Sequence, residues 1–266
     1  SQGLYDEAEP LYQKALALSQ VEQGKEHPTS LALNNNIAML YEAQGDFSRA
    51  ERTYQRVIEL NKQVFGLTHP NTVASINNLA YLYLIDQKSE QAETNFLEAY
   101  EIWKELYGEK HQDTLKALNN SGRVQTQLGE LEQAEETLVR VLELRTELFG
   151  GQEHEDVLRS MNDLAMLYFE QGREYEALEL FQETLELQNK VLGELHPYTF
   201  ETLNNLANLQ HEMGELDYAY ETRQLGYQRR NKFLNRILWV AGDNTRQSYI
   251  NLYRPELDAY IRLLIE

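Results

Sequence analysis

The sequence predicts an all-α protein built from repeated helical hairpins. Five of the six histidines recur every 42 or 43 residues: His27, His69, His111, His154 and His196. Glycines recur with the same period, and the composition is dominated by Leu, Ala, Glu and Gln, which are good helix formers. Self-similarity at a fixed period of this length is typical of proteins in which each repeat is one supersecondary unit.

Each predicted repeat begins at a histidine and is separated from the preceding repeat by a glycine. Pro28, Pro70 and Pro197 directly follow a histidine, and proline suits the first turn of a helix because its missing N–H is not needed there. A glycine just before each histidine suits the end of the preceding helix, where a left-handed residue is common. These glycines are Gly24, Gly66, Gly108, Gly150 and Gly193. We therefore expect five repeats that start near residues 27, 69, 111, 154 and 196.

A second set of glycines divides each repeat into two helices joined by a tight turn. The set consists of Gly3, Gly45, Gly129, Gly172 and Gly214, with Gln87 in the equivalent place of one repeat. On the second helix, a small, a large and a small residue recur on one face, as in Ala50, Tyr54 and Val57. This spacing predicts close packing between neighbouring helices. The first helix carries Ile76-Asn77-Asn78-Leu79-Ala80 and its equivalents.

These motifs resemble the tetratricopeptide repeat (TPR), and the 42-residue length resembles the kinesin light chain class of that repeat. The recurring string is Leu-Asn-Asn-Leu-Ala, Tyr, Gln-Gly, Glu-Ala-Glu, Tyr or Phe, Ala-Leu, Gly and His-Pro, over about residues 1–235. The resemblance implies a right-handed superhelical solenoid of helix-turn-helix hairpins with a concave groove for a protein or peptide. The third repeat departs from the pattern at Ser121-Gly122, where Leu-Ala is expected, and the fifth departs at Arg223, where an aromatic residue is expected.

The two ends of the chain are interpreted from the same register. Residues 1–25 align with the second helix of a repeat, so we expect a truncated repeat in a fragment of a longer polypeptide. The register breaks after residue 235, and residues 236–266 are expected to form a C-terminal capping or linker segment of helices. The runs Trp239-Val240-Ala241-Gly242 and Glu256-Leu257-Asp258 resemble the segment that joins such repeats to a CHAT domain, a caspase-like fold.

Composition and charge argue against several classes of function. The chain has 43 acidic and 24 basic residues, a net charge of −19, whereas nucleic-acid binding requires a basic face. No stretch approaches the roughly 20 apolar residues that cross a bilayer. The absence of cysteine excludes disulfides and thiolate zinc sites, and it fits a reducing compartment. We expect a cytoplasmic protein without a nucleic-acid or membrane partner.

No constellation of residues in the sequence predicts catalysis, a cofactor or a metal site. Histidines one repeat apart would lie about 10 Å from each other if repeats stack at helix-packing distances, which is too far to share one ion. We interpret them as residues at helix starts or in loops. Most glutamates fall on solvent-facing helical positions, and no phosphate-binding loop or nucleophile elbow is present.

Asparagine pairs on the first helix are the main candidates for ligand binding. The pairs are Asn35/Asn36, Asn77/Asn78, Asn119/Asn120, Asn162/Asp163 and Asn204/Asn205. Asparagine is a poor residue for a helix interior, so a recurrent pair indicates a role. The amides either bond across neighbouring helices or line the groove and bond a peptide backbone. We expect one member of each pair to be structural and the first member to face the groove, namely Asn35, Asn77, Asn119, Asn162 and Asn204.

Three basic residues share the helix face of these asparagines. Lys116 lies four residues before Asn120, Arg123 four after Asn119, and Arg159 four before Asp163. A local basic surface in an acidic protein suits a ligand that carries carboxylates, which arginine can bind with two hydrogen bonds. Alternatively, these cations pair with glutamates of a neighbouring helix. The matching positions of the first two repeats are Ala32 and Ala74, so acidic recognition is expected only in the C-terminal half.

The sequence therefore predicts a protein–protein interaction scaffold that binds an extended, acidic peptide or partner segment in a concave groove. The predicted groove residues are Asn35, Asn77, Lys116, Asn119, Asn120, Arg123, Arg159, Asn162 and Asn204. An alternative is the regulatory or recruitment half of a TPR–CHAT protease-like effector, with the catalytic domain elsewhere.

Overall fold

Eleven α-helices and no β-strand make up residues 2–238, which are the residues that this computed structural model describes. The helices are α1 (Gln2–Glu22), α2 (Pro28–Ala43), α3 (Phe47–Phe65), α4 (Pro70–Ile85), α5 (Ser89–Tyr107), α6 (Gln112–Leu128), α7 (Leu131–Phe149), α8 (Glu155–Glu170), α9 (Glu174–Val191), α10 (Pro197–Glu212) and α11 (Leu216–Leu238). The predicted all-α class is confirmed. The predicted capping or linker segment, with the run that resembles a CHAT linker, lies outside the described residues from residue 239 onward.

Consecutive helices pack on each other in the order that the repeat pattern predicts. The first helix of each repeat starts one residue after its histidine, and it packs on the second helix, as α2 does on α3 and α8 on α9. The second helix then packs on the first helix of the following repeat, as α3 does on α4 and α9 on α10. The predicted hairpin architecture is thereby confirmed for the described part of the chain.

The described chain divides into two compact units, and the division falls inside α7. We call residues 2–137 the N-terminal unit and residues 138–238 the C-terminal unit. In the N-terminal unit, the core contains Ala50 and Tyr54 of α3, and both side chains are fully buried. In the C-terminal unit, the fully buried Phe181 of α9 has the same role. The small-large-small face of the second helices therefore forms the core, as predicted.

The repeating histidines are the N-caps of the first helices. In each case the imidazole Nδ1 accepts a hydrogen bond from the backbone N–H two residues later, as His69 does from Asn71 at 3.2 Å. The same bond is made by His27, His111, His154 and His196. The His69 ring also stacks on Phe65 at the end of the preceding helix, with ring centroids 4.4 Å apart. The predicted placement of the histidines at helix starts is confirmed.

The turn inside the second repeat contains a strained residue. Gln87 has a φ of 59° and is the one residue other than glycine with a positive φ among the described residues. The equivalent Gly45 has a φ of 77°, so the turn geometry is kept although the residue type differs. A side chain in the left-handed region costs roughly 1–2 kcal/mol relative to glycine.

The loop before His154 contains one more residue between its glycine and its histidine than the other loops between repeats. His154 lies four residues after Gly150, whereas His69 lies three residues after Gly66. The longer loop contains Gly150 and Gly151 in succession, both with a positive φ. The single 43-residue spacing therefore arises in this loop, while the helices on both sides keep their register.

Candidate functional site

Asparagine side chains connect the first helices of successive repeats. In the N-terminal unit, Asn78 Nδ2 donates to Asn35 Oδ1 at 3.3 Å. In the C-terminal unit, Asn205 Nδ2 donates to Asn162 Oδ1 at 3.4 Å. Each bond joins the second member of one pair to the first member of the preceding pair, and we call it an amide rung. Both members of a pair therefore contribute to contacts between repeats.

The two rungs differ in their burial. Asn35 and Asn78 are only partly buried, and Asn35 Nδ2 has a long contact of 3.7 Å with Met39 Sδ. Asn162 is buried, and its Oδ1 also accepts from Thr202 Oγ1 at 3.0 Å. Since Asn162 Oδ1 receives two donors away from solvent, the C-terminal rung has the larger structural role.

The pair in the third repeat has a different partner. Asn119 and Asn120 are both buried, and Asn119 is 0% exposed. Asn120 Nδ2 donates to Tyr81 Oη at 2.7 Å, and the Tyr81 ring makes an edge-to-face contact with Phe96. A tyrosine hydroxyl thus accepts a hydrogen bond that an asparagine oxygen accepts in the two rungs.

The other predicted groove residues are more accessible. Asn77 and Asn204 are partly buried, Lys116 is exposed, and Arg123 is partly buried. All four lie on first helices. That the first member of each pair faces a ligand stays a prediction.

Arg159 is held in place by an aromatic ring. Its Nη1 donates to Tyr198 Oη at 3.2 Å, and its guanidinium carbon lies 5.9 Å from the centre of the Tyr198 ring. Contacts of this kind fix the orientation of the cation. The C-terminal unit therefore places an oriented positive charge one helical turn from Asn162.

A cleft opens beside the N-terminal rung, between α2, α3 and α4. It has a volume of about 170 Å³. Five of its ten lining residues are asparagines: Asn35, Asn36, Asn61, Asn71 and Asn78. The others are Leu31, Ala32, Val57, Ala74 and Ser75, so none of the lining residues is charged. The small Ala32 and Ala74 stand where later repeats have longer side chains.

Sequence reasoning missed Asn61, which lies on the second helix. Its equivalents in the other repeats are Ser19, Trp103, Arg145 and Gln188, which are four different residue types. In the structure Asn61 is 3% exposed, and its Nδ2 donates to Asn71 O at 3.3 Å and to Ser75 Oγ at 3.1 Å. The only sequence signal was a polar residue on the apolar face of an amphipathic helix.

Two titratable groups with shifted pKa values, Glu42 and Lys88, lie at or next to turns inside repeats. Burial raises the pKa of the Glu42 carboxyl, and the hydrogen bond from Tyr54 Oη, at 3.1 Å, partly offsets that rise. Hydrogen bonds to Asp86 and Glu51 raise the pKa of Lys88. The Glu42–Tyr54 bond connects α2 with α3, and the Lys88–Glu51 bond connects the turn between α4 and α5 with α3. These bonds therefore stabilise contacts between neighbouring helices.

Across residues 2–238, no group of three or more His, Asp or Glu side chains is placed to hold a metal ion. In that same part of the chain, no helix combines the length and the apolar character needed to span a bilayer.

Comparison with known families finds the tetratricopeptide repeat in four overlapping or adjacent stretches, residues 1–63, 29–94, 71–147 and 151–219. Together these stretches cover well over half of the chain. No curated protein matches the chain.

Three solved structures illustrate the likeness. A kinesin light chain-type protein from Podosopora anserina with nearly identical TPR-like repeats is 25% identical, with a TM-score of 0.63 over 71% of this chain and 89% of that one. BtubC (BKLC) from P. vanneervenii is 18% identical, with a TM-score of 0.68 over 86% and 91%. Rap protein complexed with Competence and Sporulation Factor is 14% identical, with a TM-score of 0.64 over 95% and 76%.

Proposed function

The chain belongs to the tetratricopeptide repeat family, and from that membership we propose that it is a protein-interaction scaffold that binds an extended peptide segment. The proposed contacts are made by the first helices, and the role is binding without a catalytic step. In the N-terminal unit the proposed binding residues are Asn35, Asn77, Lys116, Asn119, Asn120 and Arg123. In the C-terminal unit they are Arg159, Asn162 and Asn204.

The observation that carries this proposal is the pair of amide rungs. A rung holds an asparagine side chain in one orientation on the face of a first helix, as the Asn78–Asn35 bond does. An amide offers both a donor and an acceptor, so an oriented amide can match the N–H and C=O groups of an extended backbone. Holding it before the ligand arrives reduces the entropy lost on binding.

Burial divides the proposed residues into two roles. Asn119, Asn120 and Asn162 are buried, so they support the proposed contacts by fixing the spacing of neighbouring helices. The partly buried Asn35, which is held in a rung, offers surface that a backbone can reach, and so do Asn77 and Asn204. We assign direct contacts to the accessible residues of each unit.

A ligand that carries carboxylates is favoured by the cations on the same face. Lys116 is exposed in the N-terminal unit, and Arg159 is oriented by Tyr198 in the C-terminal unit. A positive charge beside amide groups distinguishes an acidic segment from a neutral one. Binding by this fold has a precedent in the Rap protein, which was solved in complex with Competence and Sporulation Factor.

The proposal is tested with short acidic peptides selected on the wild-type chain from a random library. We expect Lys116→Glu to weaken their binding roughly tenfold, because the change removes an attraction and adds a repulsion worth about 1.4 kcal/mol together. Fluorescence anisotropy of labelled peptides measures the change.

Lys14→Glu is the matched control, because Lys14 is exposed on α1 and the variant has the same net charge. We expect its affinity to stay near that of the wild type. Equal weakening in both variants would assign the effect to net charge and contradict the proposed face. If no peptide is selected at all, the scaffold proposal itself is wrong.

A further inference from the structure

The cleft beside the N-terminal rung contains a buried acceptor without a donor. Asn61 Oδ1 has no hydrogen-bond partner, although the side chain is 3% exposed. Buried carbonyl oxygens are almost always paired, because leaving one unpaired destabilises the fold. Asn61 lines the cleft, so a group that enters the cleft can supply the missing donor.

The orientation of the Asn61 amide is fixed by its neighbours. Its nitrogen lies 3.3 Å from the carbonyl oxygen of Asn71, which can only accept. The Ser75 hydroxyl donates to that same carbonyl at 2.9 Å, so it is free to accept from Asn61 Nδ2 at 3.1 Å. Exchanging the Asn61 oxygen and nitrogen would set two acceptors against each other. The unpaired atom is therefore the oxygen.

Arg145 is one of two equivalents of Asn61 in the C-terminal unit, the other being Gln188, and it makes the same two hydrogen bonds without an unpaired acceptor. We call these two bonds, to a backbone carbonyl and to a serine hydroxyl of the next helix, the anchor. Arg145 Nη1 donates to Asp156 O at 3.0 Å and to Ser160 Oγ at 2.6 Å, and Ser160 Oγ donates to Asp156 O at 3.2 Å. The arginine side chain carries donors only, so Arg145 leaves no buried side-chain acceptor of its own without a donor. Asparagine is therefore not required for the anchor. Compared with Arg145, Asn61 adds a hydrogen-bond acceptor that borders the cleft.

We propose that the cleft binds the carboxamide side chain of a glutamine or asparagine in the bound peptide, with its N–H donating to Asn61 Oδ1. This inference rests on the proposed peptide-binding function and names the residue type that one subsite selects. The amides of Asn36 and Asn71 line the cleft and supply donors for the carboxamide oxygen.

The neutral lining and the unpaired oxygen argue against charged and apolar side chains, and the titration below separates a carboxamide from a hydroxyl. An apolar cavity of about 150 Å³ holds a benzene molecule, so a cleft of about 170 Å³ has room for one carboxamide side chain. No lining residue carries a charge that would compensate a buried carboxylate or ammonium group. An apolar side chain would leave Asn61 Oδ1 unpaired.

The direct test is an NMR titration of the whole chain with propionamide, which carries the carboxamide alone. We expect saturable shifts of the Asn61 and Asn78 side-chain amide signals, and no such shifts with propionate or 1-propanol at the same concentrations. Asn61→Arg retains donors for the anchor, as Arg145 does, and removes the acceptor. We expect at least a tenfold loss of propionamide affinity in this variant, with an unchanged circular dichroism spectrum and melting temperature as the folding check.

A second arm connects the cleft with peptide binding. Peptides selected on the wild-type chain should be enriched in glutamine or asparagine at one position, and this enrichment should disappear on Asn61→Arg while acidic residues remain enriched. Acidic peptides without an amide preference, or propionamide shifts that persist in Asn61→Arg, would overturn the carboxamide subsite and leave the scaffold intact. Failure to select any peptide, with propionamide binding as described, would instead refute the scaffold and retain a carboxamide site.

Discussion

The rung of the N-terminal unit and the rung of the C-terminal unit have the same connectivity in different surroundings. Around the Asn78–Asn35 bond, Ala32 and Ala74 leave a neutral cleft. Three residues before Asn162, by contrast, is Arg159, and the asparagine itself is buried. The same bond between repeats can therefore be placed beside a neutral or a charged surface, so recognition can change along the chain without a change of fold.

The second helices show the same contrast. Asn61 and Arg145 occupy equivalent positions and bond a carbonyl and a serine hydroxyl of the next helix. Both side chains are almost fully buried, and the shorter one borders a cleft. Arg145 has a structural role, and we propose that Asn61 has a recognition role as well.

The largest effect on stability is expected when Arg145 is replaced by asparagine, the residue at the equivalent position 61. Arg145→Asn should lower the free energy of unfolding by about 3 kcal/mol, because it leaves a cavity and shortens the reach to Ser160. The exchange in the other direction, Asn61→Arg, should change stability much less, since the cleft gives the longer chain room. Urea denaturation of both variants measures the difference, and equal losses would contradict the contrast.

A smaller effect is expected at the rungs themselves. Asn162→Ala should cost about 2 kcal/mol, because Thr202 and Asn205 lose their shared buried acceptor. Asn35→Ala should cost less than about 1 kcal/mol, since water can reach Asn78 when its partner is removed. Thermal and urea unfolding can rank the two variants. The reverse order would show that burial does not set the strength of a rung.

The stability contributed by a histidine N-cap should be the same in both units. His69→Ala and His196→Ala each remove an acceptor for a backbone N–H at a helix start, and each should cost about 1 kcal/mol. His69→Asn should retain most of the stability, because asparagine is itself a favourable N-cap. Unequal losses in the two alanine variants, measured by urea denaturation, would indicate that the caps also depend on their surroundings.

The last prediction is a small increase in stability. Gln87→Gly should stabilise the chain by roughly 1 kcal/mol, because it relieves the left-handed strain that glycine does not experience. Gly45→Gln is the matched change in the preceding repeat and should destabilise by a similar amount. The melting temperatures of the two variants should move in opposite directions, and a loss of stability in Gln87→Gly would refute the assignment of strain.

The features predicted from the sequence are those that repeat. His-Pro and glycine mark helix ends through backbone preferences, so the starts of α2 and α4 follow from a few residues without knowledge of the packing. The face shared by Asn35 and its equivalents follows from helical spacing in the same way. Because the same signals occur in five repeats, the helix boundaries predicted in one repeat can be checked against those of the others.

The features that were not predicted depend on what a neighbouring helix supplies. The role of Tyr81 as the partner of Asn120 requires knowledge of which side chain faces the third repeat. The importance of Asn61 depends on Ser75 and on the small residues across the cleft, and its own position shows no recurring residue type. Contacts that vary between repeats leave no periodic signal, and these are the contacts that distinguish one subsite from another.

The loop that contains Gly150 and Gly151 has an evolutionary consequence. The extra residue lengthens the connection and leaves the spacing of the asparagines within each first helix untouched. Insertions between hairpins can therefore accumulate without altering the order in which side chains meet a ligand. Within a hairpin, an insertion in either helix would rotate every later residue by about 100°. Gains and losses of chain length should thus concentrate in the connections, and specificity should diverge by substitution.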